Sequence, residues 1–199
     1  ASEGAIREET VPNAGSGSRG GSDGYREILV LNDADSTLLD FGTGTGRMLS
    51  LFAPLAEEAE GIDLSHNMLT IARANLERQG VERARVRQGN VTAVPFDSGC
   101  ADVVIIHQVL HYMDTPNRAI SEAARVLKPG GQLLIVDFAP HDLEFLRTEY
   151  GHHRLGMSHD AMAAWAQDAG LNLKAPRSFA PPEGAQEGLT VNIWKATCR

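Results

Sequence analysis

The sequence predicts an α/β domain with a doubly wound, mostly parallel sheet. Short apolar runs alternate with amphipathic segments from Thr37 onward, the pattern of repeated βαβ units. The run Ala101-Asp102-Val103-Val104-Ile105-Ile106 has the near-continuous apolar character of a strand buried on both faces. A glycine-rich turn separates the first apolar run from the first helical segment, where sheets of this kind meet their ligands.

Composition narrows the class. The chain has 199 residues, 42% apolar and 22% charged, enough for one packed domain with an attached tail. A net charge of -8 and the lack of a basic stripe argue against nucleic acid as a partner. The alternating Arg83, Arg85 and Arg87 read as a solvated strand edge. Cys100 and Cys198 have neither metal-ligand nor redox spacing, which fits two thiols in a reducing cytoplasm. No stretch has the length of a membrane span, and the N-terminus lacks the apolar core of a signal peptide. Cytoplasmic localisation with no membrane partner is therefore expected.

Residues 1–36 form a region apart. Gly15 to Ser22 is almost entirely glycine and serine, too poor in apolar surface to offset its ordering entropy, so a flexible arm is expected there. Within it, Tyr25 to Leu31 carries a short apolar run that could dock as a helical turn, an extra strand or an exchanged arm in a homodimer. The domain proper is expected over 37–199.

Its elements follow in order. Leu38 to Phe41 is the first strand, Arg47 to Leu55 the first helix and Ala59 to Asp63 the second strand. A helix over Asn67 to Arg78, capped by Ser65, places Met68, Leu69, Ala72 and Leu76 on one face and stops at Gly80. Arg85 to Gln88 is the third strand and Ala101 to Ile106 the fourth. A helix over Asn117 to Leu127 ends at Lys128-Pro129-Gly130-Gly131, and Gln132 to Phe138 is the fifth strand. Ser158 caps a helix that runs to Ala169, with Gly170 as its stop. Strands over Leu171 to Ala175 and Thr190 to Ala196, joined by a loop without a helix, should pair antiparallel.

The strongest functional signal is Leu38-Leu39-Asp40-Phe41-Gly42-Thr43-Gly44-Thr45-Gly46-Arg47. Alternate glycines between strand and helix allow a sharp turn and close backbone approach to a ligand. A nicotinamide fingerprint would place its third glycine one position later, at Arg47. The tighter spacing suits the methionine end of S-adenosyl-L-methionine, with Asp40 near its ammonium. Asp63, about twenty residues on and at the end of the second strand, is placed to accept both ribose hydroxyls. Asn90 and Val91, beyond the third strand, are placed to meet the adenine edge through a side-chain oxygen and a backbone N–H.

With these landmarks the chain resembles the class I S-adenosylmethionine-dependent methyltransferases of the ubiquinone/menaquinone-biosynthesis-like (methyltransferase type 11) group. Further matching motifs are Gly61-Ile62-Asp63-Leu64-Ser65, Met68-Leu69, Pro95-Phe96-Asp97 and Arg125 to Gly131. His107 to Tyr112 and Val136 to Leu146 resemble most closely the methyltransferase half of fusions with an ArsR-type DNA-binding domain. The resemblance implies a Rossmann-like doubly wound sheet of seven strands, mostly parallel with the last antiparallel. It also implies cofactor contacts from Asp40, Gly42, Thr43, Gly44, Gly46, Asp63, Leu64, Met68, Asn90, Val91 and His107. Two departures stand out: the group usually has aspartate where this chain has Asn90, and usually carries covering helices where the glycine-rich arm lies.

Methyl transfer from a sulfonium needs alignment first and a base only if the acceptor is not already nucleophilic. His107, at the end of the fourth strand, and His111, at i+4 on an expected helical turn, are the candidate bases. Either could instead pack or position. His141, His152 and His153 are expected neighbours, with Asp137 and Asp142 as nearby acids. No metal is expected, since magnesium prefers carboxylates to histidines. Arsenite is excluded as an acceptor because two remote cysteines cannot supply closely placed thiolates. The expected function is methylation of a small-molecule acceptor at O, N or C, the alternative being a cofactor-binding regulatory module whose covering helices are missing. A nicotinamide oxidoreductase is disfavoured by the glycine spacing.

Overall fold

A computed structural model describes residues 36–181 and 188–199. The expected arm lies outside the described residues, apart from Ser36, whose carbonyl accepts the Glu57 amide at 2.9 Å. The strands are β1 (Thr37–Phe41), β2 (Glu58–Asp63), β3 (Ala84–Gln88), β4 (Ala101–His107), β5 (Leu127–Phe138), β6 (Leu171–Leu173), β7 (Arg177–Phe179) and β8 (Val191–Cys198). The helices are α1 (Arg47–Phe52), α2 (His66–Arg78), α3 (Pro116–Val126), α4 (Phe145–Tyr150) and α5 (His159–Asp168). Among the described residues no helix is long and apolar enough to cross a membrane.

The sheet order is β3-β2-β1-β4-β5-β8-β6, with β7 also on β8. Strands β3, β2, β1, β4 and β5 are mutually parallel, and β8 runs antiparallel to β5 and β6. Among the described residues, eight strands thus occupy seven positions. β6 pairs with Thr197 and its neighbours, β7 with Asn192 and its neighbours, on the same edge of β8. The break between them contains Pro176, which has no N–H to give the ladder. The strand expected over Leu171 to Ala175 ends at Leu173, and β7 is a further short strand beyond it.

Alternation along each strand loads both faces of the sheet. Leu39, Phe41, Val104, Ile106, Leu133 and Ile135 face one core with Ile120, Ala123, Met162 and Trp194. Leu38, Val103, Ile105, Leu134 and Val136 face the other with Leu49, Phe52 and Ala53. Helix α3 starts with Pro116, whose missing N–H costs nothing in the first turn, and buries Ala119, Ile120, Ala123 and Val126. The Ser65 and Ser158 hydroxyls cap α2 and α5 by accepting the Met68 and Ala161 amides. The first helix is shorter than expected, because Pro54 lies in a separate 3-10 turn, Ala53–Leu55. β5 begins five residues early: Leu127 pairs with Ala101 before a register shift, and Gln132 with Val103 after it. Lys128 to Gly131 forms the irregular stretch between. A short helix over Phe145–Tyr150, with no clear periodic signal, was not anticipated.

Because the first five strands are parallel, their C-terminal ends meet on one rim. The loops after them, 42–46, 64–65, 89–94, 108–115 and 139–158, converge there.

Candidate functional site

One half of the rim is built from the glycine turn. Gly42, Gly44 and Gly46 all adopt positive φ (73°, 53° and 80°), a region that an L side chain would enter only with strain. The turn is anchored by the Ile62 carbonyl, which accepts the Gly42 and Thr43 amides at 2.7 and 2.9 Å. At Gly42 a Cβ would overlap both methyls of Val109; this position ties the turn to the loop after β4.

Asp40 lies buried beneath the turn, where the Thr43 hydroxyl donates to its Oδ2 at 2.6 Å. Its Oδ1 has no hydrogen-bond partner. Burial raises the carboxyl pKa to about 7; the Thr43 hydrogen bond opposes the rise, and the Asp63 charge adds to it. A half-neutral acid with an orphaned oxygen fits a turn that receives a cation, because a nearby ammonium or sulfonium favours the charged form.

Asp63 joins the turn to the start of α2. Its Oδ2 accepts the Gly44 amide at 2.9 Å and its Oδ1 the Ser65 amide at 2.8 Å. Each carboxylate oxygen retains a second lone-pair site, and the side chain is only half-buried, so a diol could still donate to both. Leu64 and Met68 are among the few exposed large apolar side chains, 64% and 41% accessible, and both lie just beyond Asp63. Val91 is buried. Asn90 is exposed, but its Oδ1 already accepts from the Thr92 amide and hydroxyl, each at 2.9 Å. Both its lone-pair sites are engaged, which leaves the Nδ2 donor as the open group.

The other half of the rim is assembled from distant residues. His107 ends β4 partly exposed. Desolvation drives its pKa down to about 4, with Arg47 and His111 pushing the same way and Asp137 opposing. Gln108 follows at φ 53°, the one non-glycine residue with positive φ among those described. Its amide donates to the Val136 carbonyl at 2.7 Å. Strain of about 1–3 kcal/mol at such a residue persists only where its surroundings over-determine it.

His111 lies in a 3-10 turn, Leu110–Tyr112, and is buried. Its Nδ1 is 2.7 Å from Asp137 Oδ1. Asp137 is fully buried, and also accepts the Leu110 amide at 3.0 Å and the Phe138 amide at 2.8 Å. The carboxylate thus locks the loop after β4 onto the end of β5 and orients the imidazole. His152 packs on His111 with ring centroids 4.3 Å apart and stacks on Phe138 at 5.9 Å. Desolvation and the neighbouring His111 and His141 lower its pKa to about 4. His141 meets the edge of the Phe138 ring, 6.3 Å away. Of the expected neighbours, His141 and His152 join His111. His153 turns away and pairs with Asp114 at 2.7 Å. Among the described residues, no group of three His, Cys, Asp or Glu side chains could hold a metal.

Comparison with known proteins adds an independent line. The methyltransferase domain family matches residues 39–135, which contain the whole glycine turn, Asp63, Asn90, His107 and His111. Residues 39–135 are therefore similar to methyltransferase domains. The chain is 34% identical over 110 residues, 55% of its length, to an uncharacterised methyltransferase, YcgJ, of Bacillus subtilis, covering 44% of that protein. It is 36% identical over 114 residues, 56% of its length, to the demethylmenaquinone methyltransferase of Thermus thermophilus, covering 51%. The chain thus spans about half the length of the curated relatives it matches. The crystal structure of the B. subtilis YcgJ protein superimposes with a TM-score of 0.76 at 21% identity, over 89% of this chain and 98% of that one. The α/β architecture and S-adenosylmethionine as cofactor go with this domain class.

Three features of the rim escape a reading of the sequence. The pairing of His111 with Asp137 spans 26 positions, and no local spacing encodes it. Val109 as the wall against Gly42 is equally invisible. The strained Gln108 carries no glycine or asparagine to announce its φ. The one available hint is that His111 follows one apolar strand and Asp137 sits at the end of the next, and such strand ends share the rim.

Proposed function

We propose that this chain transfers the methyl group of S-adenosylmethionine to a small-molecule acceptor. The observation that carries this reading is the joint between Asp63 and the glycine turn. One carboxylate holds Gly44 and Ser65 and keeps outward lone pairs for a ribose, while the orphaned Asp40 waits beneath. When bound, the cofactor supplies a methyl on a sulfonium, which leaves as a neutral thioether after in-line attack.

The chain's own residues then have distinct tasks. The backbone of Gly42, Gly44 and Gly46, with Thr43, seats the methionine end, and Asp40 offers charge to the ammonium. Leu64, Met68 and Val91 flank the adenine. Asn90, with its oxygen held by Thr92, would present Nδ2 to a ring nitrogen rather than an oxygen to the exocyclic amine. His107 lines the path to the methyl. His111, oriented through Nδ1 by Asp137, keeps Nε2 to accept a proton from an acceptor that needs deprotonation. On His107 to Tyr112 and Val136 to Leu146 we group the chain with the methyltransferase halves of ArsR-type fusions. The two free cysteines fit a cytoplasmic setting.

Calorimetry with S-adenosylhomocysteine tests the cofactor assignment. Asp63→Ala should weaken binding by about 1–3 kcal/mol; unchanged affinity, or tight binding of NADH by the wild type, would overturn it. A panel of phenols, quinols, amines and carboxylic acids with labelled cofactor would then identify the acceptor. If a histidine acts as base, its replacement by Gln lowers kcat by about 10²–10⁴ with cofactor affinity retained. An acid limb near pH 4 that persists in His111→Gln points to His107, whose pKa lies at about 4; loss of turnover in His111→Gln alone points to His111. Full turnover by the double variant leaves alignment as the mechanism.

A further inference from the structure

Beside the candidate acceptor side lies a cleft of about 410 Å³, walled by Met113 and Asp114 on one side and by Arg147, His153 and Arg154 on the other. Its position is set by the site described above. The His111 carbonyl accepts the His153 and Arg154 amides at 2.9 and 3.1 Å, and the Leu110 carbonyl accepts that of Met113 at 3.1 Å. The loop is also pinned to the end of β5, through Met157 to the Phe138 carbonyl at 2.8 Å and His141 to the Leu155 carbonyl at 3.1 Å. One face of the 152–154 segment therefore packs on His111, and the other lines the cleft.

The charge of this cleft runs against that of the chain. The protein carries a net charge of -8, yet two guanidiniums meet here. Arg154 lies over the Trp165 ring at 5.6 Å and gives one Nη2 proton to the Asp114 carbonyl at 3.0 Å; its Nε is buried without a partner. Arg147 donates Nη1 to the His153 carbonyl at 2.6 Å, and its Nε meets Glu144 at 3.2 Å on the outer side. Asp114, the one acid in the lining, is occupied by His153 at 2.7 Å. Each guanidinium has five donors, so both keep unspent N–H groups. Guanidiniums held by backbone carbonyls and an indole face are preorganised for planar, bidentate recognition of oxyanions.

We propose that this cleft seats an anionic group of the methyl acceptor, a carboxylate or a phosphate, with Arg147 and Arg154 as its ligands. The link to an acceptor rests on the methyl-transfer reading; the anion site itself does not. The volume falls within the range of small-molecule sites, and a charged anchor next to His111 would orient an acceptor without touching its nucleophile.

The test titrates the full chain with inorganic phosphate and, separately, with acetate, by calorimetry and by the fluorescence of Trp165 beneath Arg154. The titrations are run with and without S-adenosylhomocysteine. Saturable one-to-one binding of either anion is expected, weakened about tenfold or more in Arg147→Gln and in Arg154→Gln, with S-adenosylhomocysteine affinity unchanged in both. Preference for phosphate assigns a phosphate ester, and preference for acetate a carboxylate. Arg154 also packs on Trp165, so its variant could perturb the fold; Arg147, on the exposed side of α4, is the variant that decides. Failure of both anions to saturate, or binding indifferent to Arg147→Gln, overturns the site. Loss of S-adenosylhomocysteine binding by the wild type would strike the cofactor reading alone, since the anion titration is also made without it.

Discussion

The two halves of the rim are built on opposite principles. The glycine turn, Asp63 and the start of α2 are made from backbone amides and residues close in sequence, with partners 2, 3 or 19 positions apart. Their polar groups remain partly open to a ligand. The His111 side joins two distant segments, through partners 26 and 27 positions apart closed around a buried carboxylate. The first half is shaped to bind, and its polar side chains can change with little loss of fold. The second is a structural lock that also happens to aim an imidazole. Substitutions should therefore separate the two: affinity lost on one side, stability lost on the other.

The largest effect is expected at Asp137. Asp137→Ala leaves two buried amides and His111 without an acceptor and should cost about 3–5 kcal/mol in denaturant unfolding. Asp63→Ala should cost the fold only about 0.5–1.5 kcal/mol, since its amide partners can turn to water. Equal losses in the two variants would erase the contrast.

Next comes the contact that joins the halves. Gly42→Ala combines a positive φ with overlap on Val109, and about 2–4 kcal/mol of destabilisation should follow. Val109→Ala should relieve the overlap but not the φ penalty, giving a coupling of about 1 kcal/mol or more in a double-mutant cycle. Strict additivity would mean the two loops are not held by this contact.

The smallest effect is in the pH dependence, where the halves have opposite signs. Asp40, at about 7, binds its proton more tightly when folded. Its contribution to ligand-free stability therefore declines as pH rises from about 4 to about 7. His107 and His152, at about 4, refuse protons that the unfolded chain accepts. Their contributions are lost as pH falls from about 6.5 to about 4. Asp40→Asn should raise the thermal midpoint at pH 8 by about 2–6 °C, with little change at pH 4.5, and should weaken S-adenosylhomocysteine binding. His152→Gln should flatten the acid side alone. Thermal midpoints across this range, measured for all three proteins, check both signs; an Asp40→Asn shift equal at the two pH values would refute the burial argument.

The sequence by itself determined most of what depends on neighbours along the chain, although the short helix α4 and the local Asn90–Thr92 bond carry no signal in it. Short, near-continuous apolar runs set β1, β4 and β5, and burial on both faces implied the parallel sheet. Ser65 and Ser158 marked helix starts because a hydroxyl reaches an amide only three residues on. Three glycines marked a turn because only backbone freedom permits its φ values, and Asp63 stood out because strand and helix lengths bring it back to that turn. The tertiary structure alone decided the rest. It paired His111 with Asp137, placed Val109 against Gly42, held Gln108 in a strained conformation, and sent His153 to Asp114 rather than to the other histidines. Each of these rests on which loops meet at the rim, a matter of packing between segments whose separation carries no periodic or local signal.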